Sequence, residues 1–186
     1  MTPLILASAS PRRREICTLL GLAFTVQAAE NEPSLDPSLP PAQEVRRVAA
    51  AKAQEIFNKN PDRTVLGADT AVICGGRIFG KPADKPEAAA ILRELSGKIH
   101  TVLTGVCIVS PHKQVCFTDA ALVEFFPLTD GEIDAYVRTG EPMDKAGAYA
   151  VQGMGARFIK RIEGDFYTVM GLPCGRLYQE LKAFFL

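Results

Sequence analysis

What the chain lacks narrows its function first. Its 21 basic and 21 acidic side chains leave no formal net charge, which excludes a broad basic surface able to hold a long nucleic acid. No apolar stretch is long enough to cross a bilayer, and the first arginines follow an apolar run instead of preceding it, unlike a signal peptide. There are no internal repeats and no low-complexity tract. The five cysteines, Cys17, Cys74, Cys107, Cys116 and Cys174, are odd in number, widely spread and without metal-ligand spacing. They read as reduced, mostly buried thiols of a cytoplasmic protein. The two histidines, His100 and His112, have no partner at catalytic spacing and read as structural. A chain of 186 residues fits one domain, or two lobes sharing a core.

What is present is concentrated at the start. Leu4 to Ala7 is an apolar run with the look of a buried strand, and it breaks into the small-residue loop Ser8-Ala9-Ser10. Pro11 suits a first helical turn, with Ser10 as its N-cap. Arg12, Arg13 and Arg14 then crowd the positive end of the helix dipole, where acidic residues are preferred. An anion would relieve that conflict, and backbone N–H groups, serine hydroxyls and guanidinium forks converging on one point suit a phosphate. The competing reading is an ordinary strand-to-helix turn with solvated arginines.

The helix should run to about Leu20 and stop at Gly21, followed by a strand over 23–28 and a polar, proline-rich loop to Pro41. The loop carboxylates, Glu30 and Glu32, suit either a metal or plain solvation. A helix follows over 42–58, with Lys52 inside the alanine-rich stretch 49–53, pointing along a surface or into a cleft. Residues 63–74 are apolar and β-branched, interrupted by Gly67-Ala68-Asp69-Thr70. An aspartate inside a buried strand is costly unless paired, hydrogen-bonded or metal-bound, so Asp69 is a functional candidate. Gly75-Gly76 predicts a tight turn, Gly80-Lys81-Pro82 a second loop, and 85–95 a helix ended by Ser96-Gly97. An antiparallel hairpin over 98–109 and 115–127, a helix capped by Thr129 and ended by Gly140, a strand over 158–163 and a last helix over 173–185 complete the pattern. Between them, 144–156 is too rich in glycine for a core helix and suits close approach to a ligand or another segment. The expected architecture is α/β, a mixed sheet flanked by helices with a cleft lined by glycine-rich segments.

Taken together, LILASASPRRREI, AAAKA around Lys52, GADTAV around Asp69, GKP at Lys81, LSGKIHTVLTGV and DKAGAYAVQGMGARFIKRIEGDFYTVMGLP resemble the Maf-like nucleoside triphosphate pyrophosphatases. DKAGAYAVQG resembles the branch acting on dTTP and UTP, and a sister branch acts on 7-methyl-GTP. The resemblance covers nearly the whole of residues 1–186 as a single domain. It implies a two-lobed α/β fold with a twisted mixed sheet and an inter-lobe cleft, similar to the inosine triphosphate pyrophosphatases. It also implies cleavage between the α and β phosphates with a divalent cation, Mg²⁺ or Mn²⁺, and a homodimer is a common state of the family. By resemblance Asp69 is the catalytic acid/base. Arg12, Thr70 and Gln152 are base-selecting, and Ser8, Arg13, Lys52 and Lys81 lie on the phosphate side. Glu32 helps Asp69 hold the metal, although Glu30-Asn31-Glu32 departs from the usual pattern and leaves Glu30 as an alternative. Lys145 touches phosphate or pairs with Asp144. The family's association with cell-division arrest keeps a nucleotide-sensing regulator as a second reading, beside pyrophosphatase action on modified purine nucleotides.

The residue types suit that chemistry. Cations must offset about four negative charges before water approaches phosphorus. Asp69 can orient and deprotonate that water, or act mainly as a metal ligand. The Gln152 amide can accept from N3–H of uracil or thymine and donate to O4, but rotated it would suit cytosine. Arg12 has donors only, so at O4 it would reject the cytosine amino group; its alternative is a second phosphate contact.

Overall fold

The computed structural model describes residues 3–31, 33, 34, 36 and 38–185. The chain begins with β1 (Leu4–Leu6), every residue of which is buried. Its loop leads into α1 (Pro11–Leu19), which Pro11 initiates and Gly21, at φ 67°, ends. β2 (Phe24–Val26) follows, then α2 (Pro41–Lys59), the longest helix. Val45, Val48, Ala49, Lys52, Ala53 and Ile56 recur every three or four residues along α2 and all are buried. β3 (Val65–Cys74) turns at Gly75 and Gly76, both at positive φ, into β4 (Arg77–Phe79).

Asp84 caps α3 (Lys85–Leu95) by accepting from the Glu87 N–H at 2.8 Å. β5 (Ile99–Val109) and β6 (Gln114–Phe125) are joined by a turn in which the Ser110 N–H donates to the Lys113 carbonyl. Thr129 and Glu132 form a capping box on α4 (Asp130–Arg138). Three 3₁₀ turns (Glu141–Asp144, Ala146–Ala148 and Met154–Phe158) lead to β7 (Ile159–Glu163), α5 (Phe166–Met170) and α6 (Cys174–Phe185).

The strands form one mixed sheet in the order β2-β1-β3-β5-β6-β7, with β4 paired to β3. β1 runs parallel to β2 and β3, while β3–β4 and β6–β7 are antiparallel. Two compact units result, one of Met1–Asp69, Thr104–Asp119 and Gly171–Leu186, the other of Thr70–Leu103 and Ala120–Met170. In the first, Ile5, Ala49, Ile56, Val65 and Cys107 form an apolar core beneath α2. In the second, α3 and α4 share a core with Phe125, Tyr136, Tyr149 and Phe158, whose rings meet edge-on or tilted. No helix among the described residues is long and apolar enough to cross a membrane.

The structure corrects one expectation and adds to another. Cys107 and Cys116 form a disulfide instead of remaining reduced; Cys17, Cys74 and Cys174 are free thiols. The cause is register: about the Ser110–Lys113 turn, positions 107 and 116 face each other, with Cα atoms 4.1 Å apart. β4 and α5, at three and five residues, are elements that no periodicity announces.

Candidate active site

The first unit carries Ser8, Arg12, Arg13, Lys52 and Asp69. The loop after β1 is built on Ser8, whose Oγ accepts from the Ser10 N–H at 3.2 Å and from Arg13 Nη1 at 3.1 Å. With both lone pairs engaged, the hydroxyl keeps one hydrogen to donate. Arg13 also donates from Nε to the Gly171 carbonyl at 2.8 Å and is buried, so it braces the loop from within. Arg12 is half-buried and engaged with neighbouring groups, whereas Arg14 is exposed and reaches the Ala9 carbonyl. Ser10 occupies the cap position of α1 without a side-chain cap bond, and no acidic residue lies in that first turn. The positive helix end therefore lacks an internal counter-charge there.

α2 meets the sheet at two glycines. A Cβ on Gly67 would lie 2.3 Å from the Ala49 carbonyl oxygen and 2.8 Å from the Ala53 nitrogen. A Cβ on Gly105 would lie 2.3 Å from the Val45 carbonyl oxygen. The space beside Gly67 is filled by the backbone of α2. That approach buries Lys52, whose Nζ stands 2.8 Å from Asp69 Oδ1, with the side chains 8% and 11% exposed. The lysine is therefore not a solvated helix residue; it is the ion-pair partner that lets an aspartate sit inside β3.

The same helix secures the segment after β2. Glu55 accepts from the Glu30 and Asn31 N–H groups, both at 3.0 Å. Glu44, with no exposed surface, accepts from the Asp36 N–H at 2.7 Å and holds Arg47 through two oxygens. Arg47 donates in turn to the Ser34 carbonyl. The Arg47 guanidinium, aided by the Asp36 amide, lowers the Glu44 carboxyl from the usual 4.5 to about 2. Glu30 is largely exposed and pairs with Lys59 at 3.3 Å, while Glu32 lies outside the described residues. Neither Glu44 nor Glu55 stands out in the sequence; the signals are the three-residue spacing of Glu44 and Arg47 and the four-residue spacing of Glu55 and Lys59.

The second unit carries Thr70, Lys81, Lys145 and Gln152. Thr70 follows Asp69 on β3 and is half-buried. Lys81 is exposed on its loop, which the Gly147 N–H joins by donating to the Gly80 carbonyl at 3.1 Å. Gly147, at φ 71°, lies against Val72, where a Cβ would come within 2.6 Å of the valine methyl. The loops bearing Lys81 and Lys145 thus converge beside β3 just beyond Thr70. Lys145 donates to the Glu141 carbonyl at 2.8 Å and to Asp144 at 2.6 Å, so of its two alternatives the Asp144 pairing is present.

Gln152 is exposed on a turn whose backbone is held by two residues that sequence reasoning missed, Tyr136 and Glu141. His100 is buried, shares a hydrogen bond of 2.9 Å with the Tyr149 hydroxyl, and has no Nδ1 partner among the described residues. Burial lowers it to about 4, which agrees with a structural histidine.

Among the described residues no three histidine, cysteine or carboxylate side chains cluster as metal ligands. The carboxylate of Asp69 still has acceptor capacity beyond its bond to Lys52. That donor set fits Mg²⁺, which takes one or two carboxylates and fills its other positions from phosphates and water.

A family model described as "Maf-like protein" matches residues 3–184. The chain is 46% identical over 184 residues to the "dTTP/UTP pyrophosphatase" of Bacillus pumilus (strain SAFR-032), covering 99% of this chain and 97% of that one. It is 49% identical over 178 residues to the protein of the same name from Aquifex aeolicus (strain VF5), covering 96% and 93%. Among solved structures it resembles the Staphylococcus aureus Ham1 protein, with a TM-score of 0.52 at 12% identity over 98% of this chain and 100% of that one. At that identity the likeness concerns the fold alone.

Proposed function

The chain belongs to the Maf-like protein family, and from that premise we propose that it hydrolyses dTTP and UTP to the nucleoside monophosphate and pyrophosphate. Water adds to the α-phosphorus and the bond from that phosphorus to the α–β bridging oxygen breaks. Pyrophosphate leaves with the bridging oxygen, and Asp69 takes the proton of the attacking water. The observation that carries this reading is the buried Lys52–Asp69 pair: a carboxylate held 2.8 Å from an ammonium inside a strand is costly to build and suits chemistry at a phosphate.

Lys52 orients the carboxylate, and the Ser8 hydroxyl with the positive N-terminal end of α1 binds phosphate oxygens. Lys81 adds positive charge for the departing pyrophosphate, and Lys145 braces its own loop through the Glu141 carbonyl. Gln152 and Arg12 read the uracil or thymine edge, with Thr70 at the adjoining strand position. Asp69, with Glu32, would hold a divalent cation, which when bound offsets phosphate charge. We place the enzyme in the cytoplasm, with the nucleoside triphosphates it consumes.

Asp69→Asn keeps the shape and removes the base, so turnover of dTTP should fall about 10²- to 10⁴-fold. Products are resolved as monophosphate, pyrophosphate and orthophosphate. Near-normal turnover by Asp69→Asn, orthophosphate in place of pyrophosphate, or turnover of 7-methyl-GTP alone would each overturn the assignment.

A further inference from the structure

We propose that Glu141, together with Tyr136, is the positioning residue for base selection, because it locks from inside the turn that presents Gln152. The proposal rests on the reading of Gln152 given above and goes beyond it. Residues 150–155 belong to no strand, so their N–H groups have no ladder partners and need other acceptors. Two side chains supply them for Ala150, Met154 and Gly155, while the Gly153 N–H donates to the Ala150 carbonyl at 3.4 Å. The Tyr136 hydroxyl accepts from the Ala150 N–H at 3.0 Å. Glu141 accepts from the Met154 N–H through Oε2 and from the Gly155 N–H through Oε1, both at 3.1 Å. The two are themselves joined, since the tyrosine hydroxyl donates to Glu141 Oε1 at 2.7 Å. One phenol and one carboxylate therefore fix the backbone on both sides of Val151-Gln152-Gly153.

The glycines of the segment fit this bracket. A Cβ on Gly153 would stand 2.6 Å from both carboxylate oxygens of Glu141, and one on Gly155 would stand 2.8 Å from the Tyr136 hydroxyl. The carboxylate lies under the turn only because those positions carry no side chain. Tyr136 is itself fully buried, with its ring 5.1 Å from that of Phe158, so the anchor belongs to the core. Burial opposes ionisation of Glu141, but the Tyr136 hydroxyl, the two amides and Lys145 outweigh it and lower the carboxyl below its usual value.

Base selection needs such a bracket. A glutamine amide presents an acceptor and donors, and rotation exchanges the pattern suited to uracil for the one suited to cytosine. The residue type alone does not discriminate. Discrimination requires that the backbone carrying the amide stay within about 0.5 Å of one position. Gln152 is exposed, so the bracket beneath it supplies that order.

The test measures kcat and KM for dTTP, UTP and CTP, with melting temperatures, on the parent, Glu141→Gln, Tyr136→Phe and Gln152→Ala. Glu141→Gln keeps the shape but replaces one carboxylate oxygen by a donor, so one amide loses its acceptor. Tyr136→Phe keeps the ring and removes the hydroxyl, and it carries the test if Glu141→Gln does not fold. Each should raise KM for dTTP and narrow the dTTP-to-CTP ratio of kcat/KM about tenfold, the factor equivalent to one hydrogen bond of positioning. The change should lie mainly in KM, because the Lys52–Asp69 pair is untouched. If Gln152→Ala narrows the ratio while both bracket variants keep it, the proposal fails and the reading of Gln152 stands. If Gln152→Ala leaves the ratio unchanged, both fail. An equal loss of kcat for every nucleotide would reduce Glu141 to a structural residue and also overturn the proposal.

Discussion

Gly67→Ala tests the geometry on which the Lys52–Asp69 pair depends. The added methyl would stand 2.3 Å from the Ala49 carbonyl oxygen, 2.8 Å from the Ala53 nitrogen and 2.9 Å from the Ala53 Cβ. Two of those atoms are backbone of α2, so no side chain can swing aside. Non-bonded carbons rest at about 3.5 Å or more, so the helix must lift by roughly 1 Å. Overpacking of this kind costs about 1–3 kcal/mol, which for a chain of this length lowers the melting temperature by about 2–12 °C. Lys52 lies between Ala49 and Ala53 and moves with them. Its bond to Asp69, now 2.8 Å, would stretch beyond the usual N–H···O range of about 3.2 Å. A misplacement of about 1 Å can lower turnover roughly a hundredfold. The assay is calorimetric melting together with pyrophosphate release from dTTP well below the melting point. Gly105→Ala is the control, because it presses on the same helix at Val45 and Arg46, before Lys52. It should lose comparable stability and less activity. A Gly67→Ala protein that melts within about 1 °C of the parent, or keeps its rate, would refute the reasoning.

Lys52→Met removes one member of a buried ion pair and leaves Asp69 without that partner, so it should destabilise by about 3–5 kcal/mol in denaturant titration. Lys52→Arg should recover part of the loss. Glu44 carries a pH dependence of known sign. Its carboxyl is lowered from the usual 4.5 to about 2 by Arg47 and the Asp36 amide, so the unfolded chain binds the proton more readily. Its contribution is complete above about pH 4.5 and is lost as pH falls through about 2. The acid limb of the melting-temperature profile should flatten in Glu44→Gln.

The elements with a local chemical signature were legible in the sequence. Thr129 with Glu132, Pro11 at a helix start and the Gly75-Gly76 turn each stand where the structure uses them. Asp69 was legible for a different reason: a charge inside a β-branched run demands a partner. That the partner is Lys52 was not legible. Its alanine-rich neighbourhood suits a solvated face as well as a buried one, and only the approach of α2 to Gly67, which brings Asp69 seventeen positions away against the lysine, decides between them. The disulfide is non-local in the same way, since it depends on the register of β5 against β6. Tyr136 and Glu141 were missed because their partners are main-chain amides, which leave no residue type to notice.

The two units meet one physical problem in the same manner. Segments around a nucleotide site must be irregular enough to approach a ligand, and irregular backbone lacks the ladders that satisfy its N–H groups. In the first unit Glu55 accepts two such groups from Glu30 and Asn31, and Glu44 accepts one from Asp36. In the second, Glu141 accepts two from Met154 and Gly155. A carboxylate accepting from amides makes a charge-assisted bond, about twice as strong as a neutral one. It therefore holds an irregular segment with few contacts and leaves the outer side of that segment open. An extra strand or helix would give comparable order only by covering that outer side. The acidic half of a chain with no net charge is thus partly spent on its own backbone, which is why its composition says so little about the charge at the site.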